Sequence, residues 1–239
     1  MGSSFWCWLP ILGAVLALTT VTTCYAIIVT QDNVDPILPY ISRAGEYIIA
    51  RNLFGWGLSL YASSVFVVAL LKWELNQELA RRQRASRALR RANHAAAVFG
   101  VLAALNVTLL ANFNMRDTLD VHNATAVTAF VCMTTYAVIS IVLQRKLDSR
   151  TLYWPRLVLV SLGVLSFAAL IVFFAIWPPS NPKGWTGAIA EWSMCTSLIV
   201  YVGSFAADFR SMRLQVHLGD RSSNAIMLAD RDGVDDVFA

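Results

Sequence analysis

The chain has 239 residues, 57% hydrophobic and only 14% charged, with a mean hydropathy of +0.56. A soluble domain carries roughly a quarter charged residues, so a soluble monomer could not hide this much apolar surface. The net charge of +4 is accounted for by the loop charges described below and implies no nucleic-acid partner.

Apolar residues gather in six blocks, at 5–30, 53–71, 95–111, 124–143, 157–177 and 186–207. Each approaches or exceeds the ~20 residues that cross a bilayer core. The predicted fold class is all-α: a polytopic membrane bundle of six transmembrane helices over residues 1–209, then a flexible cytosolic tail over 210–239. The segments between blocks are too short for a soluble catalytic domain of ordinary size, ~100 residues.

The first block is expected to be a span and not a cleaved signal peptide. No Lys or Arg precedes it, its apolar stretch exceeds the ~7–15 residues of a signal core, and Cys24-Tyr25-Ala26 is a poor cleavage site. Trp6 stands where a myristoylation signal after Gly2 wants Ser or Thr, so no lipid anchor is expected.

Between the second and third blocks lies the most unusual segment, Lys72 to Asn93. Helix formers such as Leu75, Leu79, Ala80, Ala85, Ala88 and Leu89 alternate with charge, and Glu78 sits four residues before Arg82. The helix is expected to continue out of the membrane here. Six arginines, Arg81, Arg82, Arg84, Arg87, Arg90 and Arg91, fall within eleven residues. Two compatible readings stand: topogenic charges on a solvated face, or a site for anionic lipids or phosphoinositides, each basic residue near such a surface being worth about 1 kcal/mol.

Basic residues in short loops stay cytosolic. Fifteen of the nineteen lie in 72–91, 145–156 and the tail, leaving Arg43, Arg51, Arg116 and Lys183 for the alternate loops. This places both termini in the cytosol. Trp and Tyr fall at block ends, as headgroup-seeking rings should: Trp6, Trp8, Trp73, Tyr153 and Trp154 on the basic side; Trp56, Trp177 and Trp185 opposite. Pro178, Pro179 and Pro182 make 177–185 a tight turn. Gly100 with Ala104, and Gly203 with Ala207, offer close helix approach.

The cysteines, Cys7, Cys24, Cys132 and Cys195, all lie in proposed spans, and His94, His122 and His217 lie on separate segments. No catalytic, cofactor or metal constellation is expected. Polar residues within spans are costly and need a reason. Glu191 lies four to six residues into the sixth span, and Arg51, Asn112 and His122 are expected at the same depth. These four form a candidate lumenal polar cluster, read as a network joining helix ends, a pocket for a lipid headgroup or small polar ligand, or a proton-coupled site.

The stretch Asp35-Pro36-Ile37-Leu38-Pro39-Tyr40-Ile41-Ser42, with Gly45 and Phe54-Gly55, resembles the first-loop signature of the Frag/DRAM/Sfk family of six-span membrane proteins. Ala111-Asn112-Phe113, His122, Ala129-Phe130-Val131-Cys132, Tyr136, Glu191-Trp192 and Asp208-Phe209 follow in the family's order. Where that family commonly has Pro-Pro-Glu before span two, this chain has Ile48-Ile49-Ala50, so a role resting on that glutamate does not carry over. The DRAM branch implies a non-enzymatic regulator of autophagy or lysosomal function in a lysosomal or other endomembrane. Other branches imply a plasma-membrane scaffold of phosphoinositide kinase complexes, or a factor remodelling the lipids of GPI anchors. The partners implied are the bilayer, anionic lipids and other membrane proteins.

Overall fold

The computed structural model describes residues 5–31, 38–147, 152–176 and 185–210. Residues 35–37 of the first-loop motif, most of the 177–185 turn and the tail from 211 lie outside the described residues. The described chain is helical: α1 Trp8–Thr30, α2 Ile48–Arg82, α3 Arg87–Asn112, α4 Leu119–Lys146, α5 Tyr153–Ile176, α6 Trp185–Gly203 and a short α7 Ala206–Phe209. Six of these stretches, the last running through α6 and α7, are long and apolar enough to cross a membrane.

Successive helices pack side by side and α6 returns to α1, so the six close into a ring. Each buries a stripe at three- and four-residue spacing, the signature of one helical face. On α5 the stripe is Arg156, Val160, Gly163, Ser166 and Leu170, while Val158, Leu162, Leu165 and Val172 stay exposed on its other faces. Exposed apolar faces in a chain of this composition are lipid-facing, which explains the excess of hydrophobic residues.

Hydrocarbon tails give no hydrophobic drive between helices, so close packing must supply it. Small residues at the crossings do so. A Cβ built on Gly57 of α2 would fall onto the Thr20 side chain of α1. One on Gly100 of α3 would come to 2.8 Å from Ala69 Cβ of α2, and one on Gly203 of α6 to 3.0 Å from Ala14 Cβ of α1.

The expected extension of α2 is present, but the segment from Lys72 to Asn93 is no loop. Its only break is 83–86, where Arg84 takes a positive φ of 50° and Ser86 caps α3 by accepting from the Leu89 amide at 3.3 Å. The 35 residues of α2 make a rod of about 52 Å at ~1.5 Å per residue, against ~30 Å of hydrocarbon. The α2–α3 hairpin therefore runs on past the hydrocarbon without leaving the bundle, since Ala80 is only 1% exposed. Its base is pinned: Asn76 Nδ2 donates to Asn93 Oδ1 at 3.1 Å, Asn93 Nδ2 to the Trp73 carbonyl at 2.9 Å, and Trp73 Nε1 to His94 Nδ1 at 3.1 Å. Gln83 ties the tip to α4 through the Leu147 carbonyl at 3.0 Å.

Candidate functional site

Glu191 is 7% exposed and lies six residues after the start of α6, about 9 Å along the helix. Its partner is the first loop, which folds there into a 3-10 turn over Ile41–Glu46. The Ile41 amide donates to Glu191 Oε2 at 2.6 Å, and the Ser42 amide and hydroxyl also reach the carboxyl. The next residue adds a second tie, Trp192 Nε1 donating to the Pro39 carbonyl at 2.9 Å, with the Tyr25 ring edge-on to the indole at 5.8 Å. Tyr40 stacks on Phe174 of α5 at 6.0 Å, and its phenol occupies the space that a side chain at Gly187 would fill. Loop one is thereby clasped to α5 and α6.

The other three members of the expected lumenal cluster have other partners. Arg51 Nη1 pairs with Asp117 Oδ2 at 2.9 Å in the α3–α4 connection, both side chains about half exposed. The Asn114 amide, with the Arg51 guanidinium beside it, holds the Asp117 carboxyl below the usual carboxylate range. Asn112 Nδ2 donates to Ser59 Oγ at 2.9 Å and to the Thr108 carbonyl at 2.8 Å. His122 is buried, with Nδ1 2.7 Å from the Phe113 carbonyl. Three of the four thus fasten α2, α3 and α4, while the carboxylate serves loop one. Each polar group is satisfied by nearby backbone or by a local partner, and no force draws the four into one network.

At the opposite end, the sequence treats Lys72 and Arg156 as loop charges. The structure buries both, with Asp208, at 3%, 0% and 2% side-chain exposure. Asp208 Oδ2 receives Lys72 Nζ at 2.6 Å, and both its oxygens receive Arg156 Nη1 at 3.1 Å. Arg156 also donates to Ser204, Nε to the hydroxyl at 2.8 Å and Nη2 to the carbonyl at 2.7 Å. Both cations lie within cation–π range of the Phe205 ring, at 5.3 and 5.1 Å from its centroid. One carboxylate after the break at Ser204–Phe205 thus gathers α2 and α5 onto the end of α6. The available signal was an acid enclosed by apolar Ala206, Ala207 and Phe209, with lone cations at two span edges. Removing Lys72 and Arg156 from the loop count leaves thirteen basic residues against four, the same asymmetry.

The pairs just described join motif to motif. Glu191-Trp192 meets Pro39 to Ser42, a Cβ on Gly45 would touch Phe54, one on Gly55 would touch Asn112 and the Ala111 carbonyl, and Asp208 holds two other spans. The family model described as the Frag1/DRAM/Sfk1/Cwh43P N-terminal domain matches residues 5–212. The chain belongs to this family. Among Frag1/DRAM/Sfk1/Cwh43P relatives, it is 31% identical over 215 residues to DNA damage-regulated autophagy modulator protein 2 of Bos taurus, covering 80% of this chain and 79% of that one. It is 24% identical over 207 residues to DNA damage-regulated autophagy modulator protein 1 of Homo sapiens, 80% of this chain and 86% of that one. Modulator of macroautophagy TMEM150B of Danio rerio is 24% identical over 237 residues, covering 96% of each. No solved structure matches.

Within this Frag1/DRAM/Sfk1/Cwh43P bundle the arginine run is divided. Arg81 pairs with Glu74 at 3.1 Å and Glu78 at 3.0 Å, and Arg82 with Glu78 at 2.7 Å. Arg84, Arg87, Arg90 and Arg91 are exposed and carry no ion pair among the described residues. The first turn of α3 holds no acidic residue, so its positive dipole end adds to these four charges.

Proposed function

We propose that the chain is a non-enzymatic, multi-pass regulator of autophagy or lysosomal function, set in a lysosomal or other endomembrane with the basic end and both termini in the cytosol. Relatives matched over most of their length are named as autophagy modulators, and the basic asymmetry supports the orientation. One observation carries the reading furthest: the buried charges join helices and loop one, Glu191 on Ile41 and Asp208 on Lys72 and Arg156, while the exposed face at the tip of the α2–α3 hairpin is strongly basic and suited to a partner surface. A tagged full-length protein should overlap lysosomal markers, and its depletion should change autophagosome turnover. In that protein, cysteines replacing Ser86 and Arg116 should label from opposite faces. Plasma-membrane staining with unchanged turnover favours the phosphoinositide-kinase scaffold instead, and altered anchor lipids on GPI proteins favour a remodelling factor.

The divided run supports anionic lipids or phosphoinositides as binding partners of the hairpin. Arg91 and Arg90 lie three and four residues beyond His94, about 4–6 Å, within the roughly 5–8 Å headgroup layer outside the hydrocarbon. Arg84 and Arg87 stand further out, and Arg81 and Arg82 are neutralised by their own helix. Detergent-purified protein should bind a short-chain phosphoinositide, more weakly as salt rises. Replacing Arg90 and Arg91 by Gln should weaken binding at least tenfold, and replacing Arg81 and Arg82 much less. Equal losses for both pairs, or no salt dependence, would leave the run as topogenic charge.

A further inference from the structure

Gln83 joins the charge of the hairpin tip to that of a second element. Its side chain donates to the Leu147 carbonyl at 3.0 Å. Arg84 is the next residue and Arg87 begins α3, while Arg145 and Lys146 close α4 immediately before Leu147. Four cations from two elements thus lie within four residues of one hydrogen bond. All four are exposed, and none carries an ion pair among the described residues. The acids of the hairpin, Glu74 and Glu78, are engaged by Arg81 and Arg82, and 148–151 adds one acid and one base, Asp148 and Arg150. The tip therefore presents positive charge that its own surroundings do not balance.

The complementary charge lies further along the same chain. Four of its fifteen acidic residues, Asp230, Asp232, Asp235 and Asp236, fall within seven positions with Arg231 as the one cation among them, whereas 211–229 holds two arginines and one aspartate. The chain leaves the bundle at the end where the tip stands, because Asp208 is held by Lys72 of α2. Lys72 lies ten residues before Arg82, about 15 Å along the helix. Twenty residues separate Arg210 from Asp230, and a coil of that length averages about 22–27 Å end to end. A tether whose length matches its span gives the highest effective concentration, of millimolar order. Exposed ion pairs are weak singly, and a tether lets several act together. We infer that residues 230–236 dock within their own molecule on the basic tip formed by Arg84, Arg87, Arg145 and Lys146, setting four carboxylates against four cations. The docked segment guards the hairpin and holds anionic lipid off Arg90 and Arg91. That consequence rests on the lipid reading proposed above, whereas the docking does not.

The test uses the full-length protein in detergent, with benzoylphenylalanine in place of Val234. Irradiation at low salt should cross-link that position, within one chain, to the peptides around 83–87 or 145–147. At 1 M salt, where screening shortens the reach of charge to about 3 Å, the yield should fall about fivefold. Arg84→Gln with Arg87→Gln should lower it to a similar extent, and both positions are exposed, so the bundle is spared. Replacing Asp230, Asp232, Asp235 and Asp236 together by Asn should do the same from the other side. Cross-links formed only between two chains would overturn docking within one molecule. Cross-links to other peptides, or a yield indifferent to salt and to both variants, would overturn it as well. Binding of a short-chain phosphoinositide separates the docking from its consequence: the fourfold Asp→Asn protein should bind about tenfold more tightly than wild type. Equal binding would overturn the guarding role. If neither protein binds while the cross-link forms, the lipid reading fails and the docking stands.

Discussion

Asp208→Ala should be the most damaging single substitution in the bundle. It strips both buried cations of their only carboxylate, and removing one partner of a buried ion pair costs about 3–5 kcal/mol. Lys72 Nζ would lose its one hydrogen bond, whereas Arg156 would keep Ser204. Lys72→Met should cost far less, because the Arg156–Asp208 pair remains, with Nη1 shared between both carboxylate oxygens, and a methionine occupies the lysine's space beside Phe205. Combining the two changes should be less harmful than Asp208→Ala plus Lys72→Met taken as a sum, since residues in one network do not add. Thermal unfolding and the monodisperse fraction in detergent report the order. If Asp208→Ala melts with wild type, the ion layer does not hold α2 and α5 to the end of α6.

Six spans were legible because a bilayer imposes a length and an apolar composition on every crossing helix, and both are properties of the sequence alone. The partners of the polar residues were not. Glu191 stood out as a carboxylate inside a span, yet its donor is a backbone amide at Ile41, 150 positions away, and amides leave no mark in a sequence. The same reason hid the anchors of Asn112 and His122, which bond to the Thr108 and Phe113 carbonyls. Lys72 and Arg156 misled in another way. A cation at the edge of an apolar block looks alike whether it snorkels to water or turns inward, and only the position of Asp208 across the bundle separates the two. The extent of α2 was readable from its helix formers, but the sharp turn at 83–86 was not, because Arg84 takes its positive φ without glycine. The family motifs were visible as short strings; that each string packs on another became visible only when the ring closed.

Glu191→Ala should release loop one while leaving the ring of helices standing. The Ile41 amide and the Ser42 groups would lose their acceptor, and a buried group left unsatisfied costs roughly 1–3 kcal/mol. The loop has a way to avoid that cost, since swinging out restores its amides to water, but it must then give up the Trp192 bond to Pro39 and the stacking of Tyr40 on Phe174. The global melting temperature should therefore fall modestly, while hydrogen exchange at Ile41 and Ser42 rises sharply. Glu191→Gln retains one carbonyl oxygen for the Ile41 amide, and no cation stands against the carboxylate to miss its charge, because Arg51 is engaged with Asp117. Gln should thus keep most of the protection that Ala loses. A Gln protein that folds and protects loop one yet fails to restore autophagosome turnover would assign the charge of Glu191 to function. Unchanged exchange at Ile41 in Glu191→Ala would mean that Trp192, Tyr40 and the space beside Gly187 hold the loop without the carboxylate.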